Sequence, residues 1–206
     1  MKLIETMLWD GAGFVRLARH LARLERSARG LGWDCDLARA RAALLAQASA
    51  QPARMRLTFD CEGRVAVTAS ALPVSPPLWR LGLAQARLFS GDPWLRVKTT
   101  RRPDYDTARQ GMAAGLDEVV FLNERGEVCD GTITTVFFDA GDGLCTPPLT
   151  CGLLPGVLRE EMLERVLCRE AVLHGADLAA VRLWVGNSLR GMMPARWADQ
   201  TEDGAG

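Results

Sequence analysis

Arg96-Val97-Lys98-Thr99-Thr100-Arg101-Arg102-Pro103-Asp104-Tyr105 is the stretch around which the rest of this sequence can be organised. The chain has 25 lysines and arginines, but its only lysines are Lys2 and Lys98. Arginine stays protonated, whereas a lysine that is desolvated or lies beside other cations can lose its proton and attack a carbonyl carbon to form a Schiff base. Lys98 is therefore either a reactive amine or an ordinary surface lysine in a basic loop, and its neighbours alone do not decide between the two.

Composition is typical of a soluble globular protein. The chain has 206 residues, 48% hydrophobic and 24% charged, enough for one or two domains that need neither disulfides nor metal. Its net charge of zero gives no indication of a nucleic-acid or anionic-membrane partner. Six scattered cysteines without a Cys-x-x-Cys pair are typical of reduced thiols, and no stretch resembles a signal peptide or a membrane span. We therefore expect a cytoplasmic protein.

Several common catalytic motifs are missing from the sequence. Histidine occurs only at positions 20 and 174, without a His-Glu-x-x-His pattern, so we expect no metal site and disfavour a Ser-His-Asp triad. The sequence has neither a Gly-x-Gly-x-x-Gly fingerprint nor a phosphate-binding loop that ends in Gly-Lys-Ser/Thr. Lys98 remains the most distinctive chemical group.

The first 76 residues alternate between helical and strand patterns. A strand is predicted over residues 3–8, a helix over about 16–30, a second helix after Asp36, and a hairpin over 54–59 and 65–69. His20 and Arg23 lie three residues apart, beside the apolar stripe of the first helix. A connector with three prolines over residues 72–77 marks a boundary, so residues 1–76 are predicted to form an N-terminal α+β domain.

Residues 77–206 are predicted to form a C-terminal mixed β/α domain. Strands are expected after Pro77 and over residues 118–122, 128–130, 133–139, 144–149 and 182–185, and helices from Pro103 and over 157–170. In the last helix the residues predicted to face inward are Leu158, Met162, Val166 and Ala171. Arg159 is predicted to face solvent, and a short polar tail is expected from Asp199 to Gly206.

Six segments carry a resemblance to a known family, and they follow the family's order along nearly the whole chain. They are Glu5-Thr6-Met7, His20-Leu21-Ala22-Arg23-Leu24, Lys98-Thr99-Thr100-Arg101-Arg102, Gly126-Glu127-Val128-Cys129-Asp130-Gly131, Gly152-Leu153-Leu154-Pro155-Gly156-Val157-Leu158-Arg159 and Asn187-Ser188-Leu189-Arg190-Gly191. On these segments the chain resembles the class IV (fold type IV) pyridoxal-phosphate enzymes, which include branched-chain and D-amino-acid aminotransferases and aminodeoxychorismate lyase. The resemblance implies an α/β (α+β) fold with the two-domain fold type IV architecture, and pyridoxal 5'-phosphate as cofactor.

The resemblance assigns the covalent contact and one phosphate contact of that cofactor. Lys98 matches the family's Schiff-base lysine, which would also move protons during the reaction. Arg23 matches the phosphate-binding arginine, a role for which a bidentate guanidinium is suited. Apart from the resemblance, Arg23 would be interpreted as a solvated charge on a helix.

Further phosphate contacts are implied at two places. Val157 and Leu158 match positions whose backbone N–H groups bind the phosphate, and Pro155-Gly156 predicts a helix start there, where an anion is favoured. Asn187 and Ser188 lie where the family has another phosphate contact, made by a hydroxyl and a backbone amide.

Asp130 stands where the family usually has a glutamate that pairs with the pyridine nitrogen. Aspartate keeps the carboxylate but is one methylene shorter, roughly 1.5 Å of reach, so either the backbone lies closer or a water intervenes. A simple turn aspartate before Gly131 is the alternative. Leu154 matches the apolar residue that packs on the pyridine face, and it can be a core leucine at the same time.

Two residues that follow Lys98 are candidate contacts of substrate or cofactor. Arg102 is a candidate for binding a substrate carboxylate, with a structural ion pair as the alternative. Tyr105 is a candidate for contacting the phenolic oxygen of the cofactor, although its spacing from Lys98 differs from that in the aminotransferases. Farther along the chain, an apolar cluster is expected either in a subunit interface or in the core; it consists of Met192, Met193 and Trp197.

The resemblance is strongest to lyase-type domains that are fused to, or work beside, aminodeoxychorismate synthase. It implies a homodimeric 4-amino-4-deoxychorismate lyase that eliminates pyruvate and gives 4-aminobenzoate for folate biosynthesis. An amino-acid aminotransferase of the branched-chain or D-amino-acid type is the alternative in the same fold. A non-catalytic relative that keeps the fold as a binding module is the alternative of another class, and the presence of Lys98 and of a carboxylate at position 130 argues against it.

Overall fold

The structure is a computed structural model that describes residues 1–198, so the polar tail predicted over Asp199–Gly206 lies outside the described residues. The chain divides into two compact units, each made of several segments. Unit 1 contains Met1–Ser75, Val97–Arg101 and Ser188–Arg190, and unit 2 contains Pro76–Arg96, Arg102–Asn187 and the described residues from Gly191 to Ala198. The domain boundary between residues 76 and 77 stays a prediction, because these units are not continuous in sequence.

Unit 1 is an antiparallel sheet packed with helices. Its elements are β1 (Leu3–Trp9), α1 (Leu17–Gly30), α2 (Leu37–Leu45), β2 (Ala53–Phe59) and β3 (Val65–Ser70), with the strand order β1-β2-β3. Met55, Leu57 and Phe59 alternate along β2 and are buried, as the period of two predicts. They form one apolar core with Leu24 and Ala28 of α1.

The segment Val97–Arg101 lies against the free side of β1. The backbone N–H of Ile4 donates to the Lys98 carbonyl at 2.8 Å, and the N–H of Thr100 donates to the Lys2 carbonyl at 2.9 Å. β1 therefore has β2 on one side and the main chain of Lys98 on the other, which fixes the position of this lysine on the sheet.

Unit 2 is built on a mixed sheet. Its elements are β4 (Trp79–Leu88), α3 (Pro103–Gln110), β5 (Glu118–Asn123), β6 (Val128–Gly131), β7 (Thr135–Asp139), β8 (Cys145–Thr146), α4 (Val157–Glu164), β9 (Arg169–Glu170), β10 (Arg182–Asn187) and β11 (Gly191–Trp197). The strand order is β6-β5-β4-β11-β10-β7-β8-β9. The pairs β4–β5, β4–β11 and β8–β9 are parallel, and the other pairs are antiparallel.

β5 is buried along its whole length. Val120 and Leu122 belong to one apolar core of unit 2, whereas Val119 and Phe121 belong to another. Because successive side chains of a strand point to opposite faces, both faces of the sheet are covered at β5. The predicted α+β class is confirmed, with an antiparallel sheet and helices in unit 1 and a mixed sheet and helices in unit 2.

The last predicted helix is shorter in the structure. α4 ends at Glu164, and Val166 stops it by adopting a left-handed conformation with φ of 54°. The N–H groups of Val166 and Leu167 donate to the carbonyls of Leu163 and Met162 and close the helix end. Val166 is 87% exposed, so the prediction that it faces inward was wrong. Apolar spacing continues past this turn and does not reveal it.

Arg159 was predicted to face solvent, but it is 2% exposed. Its guanidinium donates to the Pro147 carbonyl at 2.8 Å and pairs with Glu170. A buried charge is tolerated when it is paired and hydrogen-bonded, so these two partners override the helical spacing that predicted exposure.

Two strands of unit 2 differ from the predictions. The strand predicted over residues 144–149 is confined to β8, and β11 was not predicted. β11 buries Met193 in one apolar core, with Trp197 half-buried against it, and packs Met192 against a second apolar cluster. The apolar cluster at the end of the chain is therefore used in core packing within unit 2.

Candidate functional site

Glu5 and Arg23 form a buried ion pair in unit 1. Arg23 Nε donates to Glu5 Oε1 at 2.9 Å, and Arg23 Nη2 donates to Oε2 at 2.7 Å, which is a bidentate geometry. Burial alone would raise the pKa of Glu5, but the charge of Arg23 and hydrogen bonds from His20 and Arg23 together lower it to about 2. Glu5 is therefore an ionised carboxylate that orients the guanidinium.

His20 links this ion pair to Ser188. The Nδ1 atom of His20 lies 2.6 Å from Glu5 Oε2, and its Nε2 atom lies 2.7 Å from Ser188 Oγ. Burial lowers the pKa of His20, and the charges of Arg23 and Lys98 act in the same direction, against the hydrogen bond and charge of Glu5. We call Glu5, His20, Arg23 and Ser188 the buried polar chain.

Ser188, His20 and Glu5 are connected in the order of a catalytic triad, which the sequence analysis disfavoured. No local sequence pattern joins them, because His20 and Ser188 are 168 residues apart. The surroundings do not suit a nucleophile, since Ser188 is only 6% exposed and Glu5 is also bound by Arg23. These contacts argue against a nucleophilic role for Ser188.

We expect Arg23→Ala to lower the free energy of unfolding by about 3–5 kcal/mol, because it leaves the Glu5 carboxylate buried without its arginine partner. Urea unfolding of the cofactor-free protein measures this loss. Arg26→Ala, at an exposed position of the same helix, is the matched control and should change stability by less than about 0.5 kcal/mol. Equal effects of the two substitutions would contradict the prediction.

Asp130 is the central polar residue of the candidate site in unit 2. It is 5% exposed; its Oδ1 accepts from Tyr105 Oη at 3.1 Å and its Oδ2 accepts from the Leu154 backbone N–H at 3.2 Å. Burial raises the pKa of Asp130 to about 7, with a contribution from the charge of Glu118, although the two hydrogen bonds and the charge of Arg102 oppose this. A carboxyl of this kind would gain stability from a nearby positive group.

Arg102 makes the structural ion pair that was the alternative to binding a substrate carboxylate. Its Nε donates to Asp106 Oδ1 at 2.9 Å, and its guanidinium also donates to the Thr132 carbonyl. Its Cζ atom lies 5.1 Å from the centre of the Tyr105 ring, within cation–π range. The ion pair is thus observed, and a role in binding a substrate carboxylate stays a prediction.

Glu118 fixes the turn that follows Asp130, and no role for it was predicted from the sequence. Its Oε1 accepts from the backbone N–H of Thr132 at 3.0 Å and from the hydroxyl of that residue. Its Oε2 accepts from the Ile133 N–H at 3.1 Å and the Thr134 hydroxyl at 2.9 Å. An acidic residue at the start of an apolar strand is the signal that could have identified it.

Glu118→Gln is expected to lower the free energy of unfolding by about 1–3 kcal/mol. Each carboxylate oxygen accepts from a backbone N–H, so the amide nitrogen of glutamine would leave one buried donor without an acceptor whichever way it points. Glu164→Gln, at an exposed position of α4, serves as the control. The prediction fails if urea midpoints show the same small change in both variants.

The start of α4 has a geometry suited to an anion. Gly156 precedes the helix in an extended conformation and has no side chain to cap it. A Cβ atom at this position would lie 2.8 Å from Thr135 Oγ1, so glycine allows the helix start to approach β7. The first N–H groups of a helix, here including those of Val157 and Leu158, have no acceptor within the helix.

The structure brings some predicted residues into direct contact and places others near them. In unit 2, Asp130 contacts both Tyr105 and Leu154, and Asn187 Nδ2 donates to the Ile133 carbonyl at 3.3 Å in the turn held by Glu118. The predicted phosphate contact of Asn187 and the predicted contact between Tyr105 and the cofactor stay predictions.

Unit 1 holds three predicted residues together with two that had no assigned role. Arg23 and Ser188 belong to the buried polar chain, and Lys98 is half-buried and near enough for its charge to lower the pKa of His20. Glu5 and His20 were noted only as parts of segments. Glu5 interrupts an apolar strand, which was the available signal, but its partners could not be read from the sequence.

Over residues 1–198, no group of three or more His, Cys, Asp or Glu side chains is arranged to hold a metal ion. In the same range no helix is both long and apolar enough to cross a membrane. All six cysteines are free thiols.

Known proteins resemble this chain in sequence and fold. A Schizosaccharomyces pombe protein with the provisional name aminodeoxychorismate lyase is 28% identical over 169 residues, or 79% of this chain and 73% of that protein. A Mesorhizobium loti structure provisionally described as an amino-acid aminotransferase is 45% identical, with a TM-score of 0.90 and coverage of 96% of this chain and 99% of that one. The 4-amino-4-deoxychorismate lyase of Pseudomonas aeruginosa is 26% identical, with a TM-score of 0.83 and coverage of 96% and 83%.

The family model described as amino-transferase class IV matches residues 2–197 of this chain. Since that match spans the segments on which the resemblance was recognised, the chain belongs to the class IV aminotransferase family.

Proposed function

We propose that this chain is an enzyme that uses pyridoxal 5'-phosphate. The observation that carries the proposal is Asp130, a buried carboxyl whose pKa is raised to about 7. A protonated pyridine nitrogen is a cation that would stabilise the ionised form of such a group. Leu154 donates its N–H to Asp130 and has a half-buried apolar side chain, which suits packing on a pyridine face. These residues fit the cofactor, with aspartate in place of the usual glutamate.

Both units contain groups that suit a phosphate. In unit 1, Arg23 provides a guanidinium that Glu5 orients, and Ser188 contributes a hydroxyl. In unit 2, Val157 and Leu158 begin a helix that has no side-chain cap, and such a helix start favours an anion. We propose these residues as phosphate contacts, and Arg23→Ala should weaken cofactor binding about tenfold or more.

Lys98 would make the covalent contact and transfer protons. Its main chain is hydrogen-bonded to β1, so the sheet fixes the backbone position from which the side chain extends. Its ε-amino group would hold the cofactor and, when free, would remove a ring proton from the substrate. When bound, the cofactor supplies an electron-accepting ring that stabilises the carbanion left by proton removal.

Within the family, we propose 4-amino-4-deoxychorismate lyase activity, with a role in folate biosynthesis. The reaction would release pyruvate and 4-aminobenzoate. Similarity to the Schizosaccharomyces pombe relative over 79% of this chain supports this choice, as does the likeness to the Pseudomonas aeruginosa lyase. The nitrogen of the substrate stays in the aromatic product, so the reaction needs no amino-group acceptor.

An amino-acid aminotransferase is the second candidate. The Mesorhizobium loti protein, at 45% identity, carries that provisional description, and a 68-residue stretch is 35% identical to a Thermotoga maritima protein provisionally named a branched-chain-amino-acid aminotransferase. An aminotransferase completes its cycle only by passing nitrogen to a second substrate, so it depends on a 2-oxo acid.

The two candidates are distinguished by supplying 4-amino-4-deoxychorismate without any 2-oxo acid. We expect pyruvate and 4-aminobenzoate in equal amounts. A parallel assay contains branched-chain or D-amino acids with 2-oxoglutarate. Glutamate formed there, without pyruvate from the chorismate derivative, would establish the aminotransferase; no reaction in either assay and no bound cofactor would favour the non-catalytic module.

The remaining proposals concern assembly and location. We propose a homodimer that works in association with aminodeoxychorismate synthase, following the family resemblance. A cytoplasmic location is supported by the free state of the cysteines. Sedimentation of the active protein tests the dimer, and a fully active monomer would contradict it.

A further inference from the structure

The buried polar chain determines the direction of each of its hydrogen bonds. An ionised carboxylate only accepts, so Nδ1 of His20 carries a proton and donates to Glu5 Oε2. Nε2 of a neutral imidazole is then an acceptor, so the Ser188 hydroxyl donates its proton to His20. In this state Ser188 Oγ has lone pairs but no proton for another group.

This state does not suit a phosphate ligand. A phosphate dianion accepts hydrogen bonds. The lone pairs of Ser188 Oγ would therefore face the lone pairs of a phosphate oxygen, with no proton between the two atoms. A proton added at Nε2 of His20 reverses the second bond: His20 then donates to Ser188 Oγ, and the hydroxyl proton turns toward the phosphate. The bond between Nδ1 and Glu5 is unchanged.

The groups around His20 act on its protonation in opposite directions. Glu5, at 2.6 Å, favours the imidazolium through its charge and hydrogen bond. Burial and the charges of Arg23 and Lys98 favour the neutral ring. A phosphate dianion at Ser188 would add negative charge next to the ring and favour the imidazolium.

We infer that His20 is a positioning residue that takes up one proton when a phosphate monoester binds, and that this proton turns the Ser188 hydroxyl toward the phosphate. The inference rests on the proposed function, in which Ser188 contacts the cofactor phosphate. The proton comes from solvent and ends on Nε2, and only hydrogen bonds are exchanged. Because binding raises the pKa of His20, uptake occurs between the free and bound pKa values and is lost above the bound one.

Calorimetric titration with pyridoxine 5'-phosphate, in buffers of different ionisation enthalpy, counts the protons taken up. This probe has the phosphate but no aldehyde, so it does not react with Lys98. At about pH 7.5 the wild type should take up more protons per bound ligand, by up to about one, than His20→Gln, whose amide does not titrate. As the pH rises, the affinity of the wild type for the probe should also fall more steeply than that of His20→Gln, by up to about tenfold more per pH unit. His174→Gln, at the other histidine of the chain, is exposed and should behave as the wild type.

Ser188→Ala is a second variant that does not change the histidine. Proton uptake should fall in this variant too, because the hydroxyl that connects the ring to the phosphate is gone. Equal proton counts in the wild type, His20→Gln and Ser188→Ala, with binding retained, would overturn the inference and leave the proposed function standing. Failure of the wild type to bind either pyridoxine 5'-phosphate or pyridoxal 5'-phosphate would overturn both.

Discussion

Lys98→Ala is expected to abolish turnover, by at least about 1,000-fold, and to remove the yellow absorbance that the bound cofactor should give the wild-type protein. The substitution deletes the covalent contact and the amine that moves the substrate proton. Proton transfer by a positioned side chain alone typically contributes about 10²–10⁴-fold. The backbone bonds that join this segment to Lys2 and Ile4 do not involve the side chain, so the fold should be retained.

Lys2→Ala is the matched control, because Lys2 is the other lysine of the chain. It should keep both the absorbance and the turnover. Reduction of the cofactor-loaded protein with borohydride, followed by peptide mapping, should place the adduct on Lys98. An adduct on Lys2, or an undiminished absorbance in Lys98→Ala, would show that the catalytic lysine was wrongly assigned.

The parts of the fold that the sequence predicts are those determined by local spacing. The alternation of Met55, Leu57 and Phe59 gives β2, and Asp36 caps α2 by accepting from the Arg39 N–H at 2.9 Å. The end of α4 at Val166 is not predicted by local spacing. Its left-handed conformation ends α4 although the apolar spacing continues, because side-chain spacing contains no information about a single backbone torsion.

The candidate site was predictable residue by residue, but its connections were not. The family resemblance identified Arg23, Ser188 and Asp130 as separate positions. It did not show that His20 bridges Ser188 and Glu5, since that link joins the two ends of the chain and depends on the tertiary fold. Buried polar partners are selected by three-dimensional proximity, which periodicity does not report.

Asp130→Asn is expected to change how the stability of the cofactor-free protein depends on pH. Folding raises the pKa of this carboxyl from 3.8 to about 7, so the folded state binds more protons than the unfolded state between these values. The wild type should therefore lose stability as pH rises through this window, because an ionised carboxylate is being buried. The amide of asparagine has a similar shape and does not ionise.

Urea unfolding of both cofactor-free proteins at about pH 5 and about pH 8 measures the difference. The variant should gain roughly 2–3 kcal/mol on the wild type between the two pH values. Parallel pH profiles would show that burial of Asp130 does not perturb its ionisation, and would remove the observation on which the proposed cofactor rests.

In the cofactor-loaded enzyme, the same substitution should lower turnover. Ionised Asp130 is proposed to stabilise a protonated ring nitrogen, and asparagine provides no negative charge for that role. Loss of one positioned electrostatic group typically costs about 10²–10³-fold in turnover, so Asp130→Asn should fall in that range. Asp104→Asn, at an exposed position of α3, is the control and should leave turnover unchanged. A variant that is more stable when cofactor-free yet nearly inactive when loaded would identify Asp130 as a residue kept for chemistry at the expense of stability; unchanged turnover would instead favour its alternative as a turn aspartate before Gly131.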